Sequence, residues 1–307
     1  MSSLTVTLHR LSLAVLCSFA PLLALASENG ATNWPLGVNT VIPGLLPPPG
    51  ATELYGYTVY YSADTLKGND GESVPIDFDL EVFAQAFRVV HTWDIQTDAG
   101  VKFSSGAILS GGRNSLKIAD FGIDEHKTGF NQLYLTPLYL TWSPTPELHL
   151  LTGFSAFIPL GDYDRNDPIN TTSNYASYVQ EFGLTWFPTP QWEFSVSPTL
   201  SFNAENSDTD YQSGNLFNVD YNIGYRFPAA PQWQVGLAGH YTKQFSDDQL
   251  DGHDIPGGNR LSKFAIGPQV FYSFDQATGV AFKWLHETSV KNGPKGHSLW
   301  FQFAIPL

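Results

Sequence analysis

Asp247, Asp248, Asp251, His253 and Asp254 crowd one short stretch that is dense in acids. Oxygen-rich clusters of this kind can hold calcium. The glycine and ligand spacing of an EF-hand loop is absent, so the stretch reads as a solvated acidic loop and no metal is expected. A hydrolytic pair would need a nucleophile within hydrogen-bond reach of its base. His297 and Ser298 are adjacent, and on a strand adjacent side chains point to opposite faces. With no other nucleophile, phosphate-binding glycine loop or metal-ligand set in view, neither catalysis nor a cofactor is expected.

A second polar set is spaced differently. Glu193 and Asn203 share one parity, as do Asn218, Asp220, Asn222 and Arg226. Gln234, His240, Lys283 and Glu287 belong with them by the same reasoning. Such residues can line a wet passage, with Lys283 and Glu287 on one face and able to pair across it. Burying Asp220 or Arg226 against lipid would be costly, so these positions are expected to face a lumen.

Long strands are needed to hold them there. From Trp192 to Ala204 apolar residues (Trp192, Phe194, Val196, Pro198, Leu200, Phe202) alternate without a fault with polar ones. Side chains flip face at each strand residue, so one side is apolar and the other polar. The same pattern predicts about twelve strands, near 52–62, 77–91, 97–109, 131–143, 147–160, 176–188, 191–204, 215–227, 232–245, 260–274, 277–290 and 297–307. Short connections at 144–146, 188–190, 228–231 and 275–277 are set against long polar ones at 63–76, 110–130, 161–175, 205–214, 246–259 and 291–296. Trp142, Trp186 and Trp233 sit beside proline-containing short turns, where indole rings prefer the headgroup level. The expected fold is all-β: a transmembrane antiparallel β-barrel occupying 51–307, with short turns on the periplasmic side.

Residues 1–26 carry a basic start ending at Arg10, an apolar run and the site Ala24-Leu25-Ala26, the pattern of a secretory signal peptide. The single cysteine, Cys17, lies inside it, so the mature chain is expected to have no thiol. The formal net charge is −14, and removing a leader that contains Arg10 and no acid takes it to −15. Nucleic-acid phosphates would be repelled by that charge. Charged residues make up only 14% of the chain, which suits a lipid-facing wall around a wet interior.

Prolines mark two further features. Residues 27–50 are not strand-like, and Pro43, Leu46, Pro47, Pro48 and Pro49 are candidates for a plug narrowing the periplasmic end, the alternative being a loose tail. Pro137, Pro198 and Pro268 fall inside predicted strands and each removes a ladder donor. They are either tolerated bulges or a gap in the wall through which an apolar solute leaves sideways.

Several short stretches carry a family resemblance: Leu46-Pro47-Pro48-Pro49-Gly50, Pro159-Leu160-Gly161-Asp162-Tyr163-Asp164, Asn174-Tyr175, Thr209-Asp210-Tyr211-Gln212-Ser213-Gly214, Gly239-His240-Tyr241 with Gln244, Asp247-Asp248 and Ile266-Gly267-Pro268. In this order they resemble the outer-membrane channels of the phenol-degradation meta-pathway family. The resemblance implies a barrel of about twelve strands that admits hydrophobic small molecules. The final strand, ending in Leu307 where an aromatic residue is usual, resembles the signal read by the barrel-insertion machinery. The expectation is a monomeric channel in a Gram-negative outer membrane, passing small apolar or aromatic solutes and contacting lipid and lipopolysaccharide. The alternatives are a closed structural or adhesive barrel and an outer-membrane lipid hydrolase.

Overall fold

Residues 32–307, apart from Gln96, are described by the computed structural model; the expected leader and residues 27–31 lie outside the described residues. In chain order the strands are β1 (Thr52–Lys67), β2 (Phe78–Thr92), β3 (Lys102–Ile118), β4 (Ile123–Thr145), β5 (Leu148–Pro159), β6 (Ser177–Thr189), β7 (Trp192–Asn203) and β8 (Tyr211–Gln212). They continue with β9 (Leu216–Phe227), β10 (Ala230–Gln244), β11 (Gln249–Leu250), β12 (His253–Asp254), β13 (Ser262–Ser273), β14 (Gly279–Lys291) and β15 (Gly293–Pro306).

The short β8, β11 and β12 form a small separate sheet in the loops, and the other twelve close into one barrel in the order β1-β15-β14-β13-β10-β9-β7-β6-β5-β4-β3-β2. All neighbours are antiparallel, and β1 pairs with β15 from Glu53 opposite Pro306 to Lys67 opposite Gly293, so no edge is left open. The 12 residues of β7, rising ~3.4 Å each and tilted ~40°, cover roughly 30 Å, enough for the apolar band of an outer membrane.

Parity decides the two faces. On β7, Glu193, Ser195, Ser197 and Thr199 are each 1% exposed, whereas Trp192 and Phe202 are 42% and 44% exposed on the outer wall. Trp186, Trp192 and Trp233 are exposed beside the short turns, in ring contact with Phe194, Tyr225 and Tyr272. Trp142 is half-buried.

Two expected loops are corrected to turns, and two more carry short strands. The stretch 110–130 is not a long loop. β3 runs on to Ile118 and β4 starts at Ile123, joined by a 3-10 turn at Ala119–Phe121. Inward Leu116, Ile118 and Ile123 continue the alternation and pack against Leu66 and Phe78, which repays the longer hairpin. Gly112, a residue common in turns, is needed in the strand here: a Cβ there would lie 2.1 Å from the Phe83 carbonyl oxygen. The expected loop 291–296 is a tight turn at Asn292, whose φ of 51° asparagine tolerates better than most residues. Loops 205–214 and 246–259 are ordered by the small sheet.

The acidic loop is part of that order. Asp248 is fully buried and accepts from the Tyr211 hydroxyl, the Gly214 N–H and Gln244. Asp247 accepts from Arg260 at 2.6 Å, and that hydrogen bond holds its carboxyl below the usual carboxylate range. Among the described residues no group of three or more His, Cys, Asp or Glu side chains is placed to hold a metal ion.

One packing contact is unusually tight. Gly153 on β5 lies between Tyr139 of β4 and Glu181 of β6 in a single cross-strand row. The Tyr139 ring crosses over it, so a Cβ on Gly153 would sit 2.4 Å from the ring. Gly153→Ala should therefore destabilise the barrel by about 1–3 kcal/mol, the usual cost of overpacking. Urea unfolding in detergent measures it, and in a Tyr139→Leu background the same Gly153→Ala change should cost little. A wild-type midpoint for the single variant would show that the ring is not held there.

Candidate channel lumen

The chain before β1 occupies the barrel interior. Asn33 donates to the Tyr175 carbonyl at 3.3 Å and to Ser177 Oγ at 2.7 Å, and accepts from Gln132. Trp34 is 4% exposed and packs edge-on against Tyr134 and Phe157. The segment then crosses to the opposite wall. There the N–H groups of Gly37 and Asn39 donate to the two Asp220 carboxylate oxygens at 2.9 and 2.8 Å. Thr40 donates to Gln269 at 2.6 Å. Lys283 donates to Thr40 Oγ1 at 2.7 Å and to the Val38 carbonyl at 3.3 Å, and Gln302 reaches the same carbonyl at 2.9 Å. Returning, the Gly44 N–H donates to Thr185 at 3.0 Å.

The lumen is thus filled mainly by residues 33–44, upstream of most of the residues expected to form a plug. Pro43 has its carbonyl against Gly183. Pro47 is buried, Leu46 and Pro49 are half-buried, and Pro48 is exposed. This run hands the chain to β1 through Gly50, whose φ of +82° suits glycine and whose N–H donates to the Thr92 carbonyl at 2.8 Å.

The inward polar residues form a bonded network. Glu193 accepts from Ser195, Asn222 and Gln234 at 2.7, 3.3 and 2.8 Å. Asn203 accepts from Ser177 at 2.7 Å and donates to the Gly214 carbonyl at 3.0 Å. Asn218 donates to Asp220 at 2.9 Å and accepts from Thr242 at 2.6 Å. His240 is buried beside Thr242. Arg226 sits half-exposed at the short-turn end of the barrel, over the Phe271 ring and bonded to the Pro231 carbonyl.

The expected pairing of Lys283 with Glu287 does not form. Glu287 is paired with Lys263 at 2.8 Å, and Lys283 holds the N-terminal segment instead. Parity places both residues inside, but only the strand register decides which cation is near.

A cavity of about 650 Å³ remains, and it lies mostly elsewhere. Of the ten expected lining residues only His240 and Glu287 border it. Its main wall is apolar, from Val59, Leu80, Val82, Ala84, Ala86 and Ile108 on β1 to β3, faced by Leu36 and Val38 of the N-terminal segment. Small inward residues on β2 leave this space open. Arg88, Tyr139 and Glu181, which also border it, are missing from the expected set. Arg88 stands with inward parity after Ala84 and Ala86, a signal that was available in the sequence.

All three strand prolines coincide with irregular pairing. At Pro137 the register slips against both β3 and β5, and the Pro137 carbonyl accepts from Ser105 Oγ at 2.6 Å. Past Pro198 the β6–β7 ladder skips from Glu181/Thr199 to Leu184/Val196, and Ser197 Oγ donates to the stranded Phe182 carbonyl at 3.1 Å. Past Pro268 the β13–β14 ladder skips from Ile266/His286 to Gln269/Lys283. The slip at Pro137 has a further effect. Thr136 and Tyr139 both point inward although an unbroken strand would put them on opposite faces.

No curated protein sequence matches the chain. Among solved structures, an outer membrane channel of Pseudomonas putida F1 aligns at a TM-score of 0.75 with 18% identity, covering 85% of this chain and 97% of that one. The β-domain of the Bordetella autotransporter BrkA aligns at 0.50 with 11% identity, covering 83% and 98%. The monoaromatic hydrocarbon channel CymD aligns at 0.44 with 11% identity, covering 92% and 97%. The family model described as "Putative MetA-pathway of phenol degradation" matches residues 63–303, and the chain belongs to that family.

Proposed function

We propose that this protein is a channel of a Gram-negative outer membrane that passes small, mostly apolar molecules, aromatic ones among them, without energy coupling. The carrying observation is the apolar cavity of about 650 Å³ inside a closed barrel whose outer wall is itself apolar. A pocket of this size and lining accepts small organic molecules. The Pseudomonas relative, described as an outer membrane channel, supports the reading. Lipid and lipopolysaccharide surround the wall, and the last strand, with Leu299, Phe301, Phe303 and Ile305 alternating, is offered to the insertion machinery. In this reading the working unit is a monomer that performs no chemistry on its solute, and the closed barrel leaves no strand edge for a partner to extend.

Liposome swelling checks this directly. Small aromatics should enter faster than sugars of similar size. No flux of any solute would favour a closed barrel whose loops bind a partner, and loss of acyl chains from added phospholipid would favour a hydrolase.

The N-terminal segment constricts the passage. Deleting residues 27–50 should raise single-channel conductance, and Asp220→Ala, which removes the acceptors for Gly37 and Asn39, should raise it to a smaller extent. Unchanged conductance after the deletion would remove the constriction from the account.

The exit is sideways, at the Pro137 bulge, two residues before the Tyr139 that borders the cavity. A disulfide joining Ser105→Cys to Pro137→Cys should slow uptake of apolar solutes when oxidised and restore it on reduction, while ion conductance stays constant. Equal uptake in both redox states would point to a periplasmic exit.

A further inference from the structure

The floor of the cavity is polar in a particular way. The Arg88 guanidinium lies between two rings, 5.4 Å from the centre of Tyr55 and 5.1 Å from that of Tyr139. The rings attract its charge but accept no hydrogen bond in its plane. Among the described residues it forms no ion pair and donates no hydrogen bond to the protein. A guanidinium has five N–H donors, and the Arg88 side chain borders the cavity.

Glu181 stands nearby on the same floor and is 4% exposed. Its Oε1 accepts from Tyr134, Tyr139 and Ser155 at 2.5, 3.0 and 2.9 Å. Its Oε2 accepts none of these bonds. Arg88 and Glu181 thus border the same largely apolar cavity, and no ion pair joins them.

Resting on the channel reading above, we infer that Arg88 and Glu181 form a selectivity site for neutral, mostly apolar molecules that carry a hydroxyl group. A hydroxyl both donates and accepts, so its O–H serves Glu181 Oε2 while its oxygen takes a proton from Arg88. It reproduces the bonds that water would make there and costs the site nothing when water leaves. A hydrocarbon that displaces the same water strands both groups. An ether satisfies Arg88 alone. A carboxylate would suit Arg88 but would be held against Glu181, with Glu53, bonded to Tyr55 at 2.6 Å, as a second like charge close by. The ring or alkyl body of the solute packs on Ile108, Ala84 and Ala86 above the floor.

The test is a solute series on the full chain in planar bilayers and liposomes. Phenol, cyclohexanol, anisole, toluene and benzoate are compared for block of the single-channel current and for uptake. The two hydroxylated probes should block and enter roughly tenfold better than toluene and benzoate, the order of one unmade buried hydrogen bond, with anisole between them. Arg88→Met and Glu181→Gln, each checked for folding by heat-dependent gel mobility, should flatten the series. Equal behaviour of all five probes in the wild-type protein would overturn the site and leave the channel standing, and so would preference for benzoate. Absence of conductance and of all uptake would instead overturn the channel itself. The wild-type series decides the matter even if both variants fail to fold.

Discussion

Lipid offers no partner to a backbone N–H or C=O, and each such group left unpaired in a bilayer costs several kcal/mol, on the order of a lost hydrogen bond in an apolar solvent. That constraint shapes this chain more than any single contact. It closes the sheet, with β1 bonded to β15, and it makes parity consequential because one face of every strand must meet lipid and the other must not. It also makes the three prolines informative. At Pro198 the lost donor is replaced from inside, by Ser197 Oγ on the Phe182 carbonyl. At Pro137 the neighbouring Ser105 hydroxyl takes the carbonyl. Hydroxyl side chains supply bonds that the ladder cannot.

The interior follows from the same logic at one remove. Asp220 is fully buried, and a buried carboxylate must be bonded. Its acceptors are filled by Asn218 and by two backbone N–H groups of the N-terminal segment. Lys283 likewise finds its oxygens on that segment. Segment and wall therefore satisfy each other. The arrangement also makes movement feasible, because withdrawing the segment admits water to the same two charges. An apolar wall behind the segment would have held it by area alone and left it nothing to exchange with solvent. The lining of β1 to β3 is of that apolar kind, and there the segment stands off and leaves the cavity.

Much of this was legible in the sequence because alternation in β7 or β9 is a local property. The strand count and the inward placement of Glu193, Asp220 and Lys283 needed nothing beyond residue parity. What escaped reading was relational. Whether Glu287 meets Lys283 or Lys263 depends on the pairing of β13 with β14, which no single strand reveals. The hairpin at 110–130 escaped because the stretch reads as a long polar connection, and only the Phe83 carbonyl across the ladder explains Gly112. The cavity escaped for a similar reason. Ala84 and Ala86 are unremarked small residues until the path of residues 33–44 shows that nothing else fills the space above them.

Pro137 joins these strands of the argument. Without the bulge, strand parity would send Tyr139 to the lipid, where its hydroxyl would have no partner. With it, the ring turns inward, crosses Gly153, bonds Glu181 at 3.0 Å and covers one face of Arg88. The defect in the wall and the polar floor of the cavity are thus one feature built by one residue. A solute held at Arg88 and Glu181 rests against the ring that the bulge placed there, so any loosening of the wall at Pro137 moves Tyr139 and disturbs both polar groups together. If solutes bind at this floor and leave through this wall, as proposed above, the two steps would be coupled through the Tyr139 side chain, and a substitution at Pro137 that straightened β4 would remove the site along with the gap.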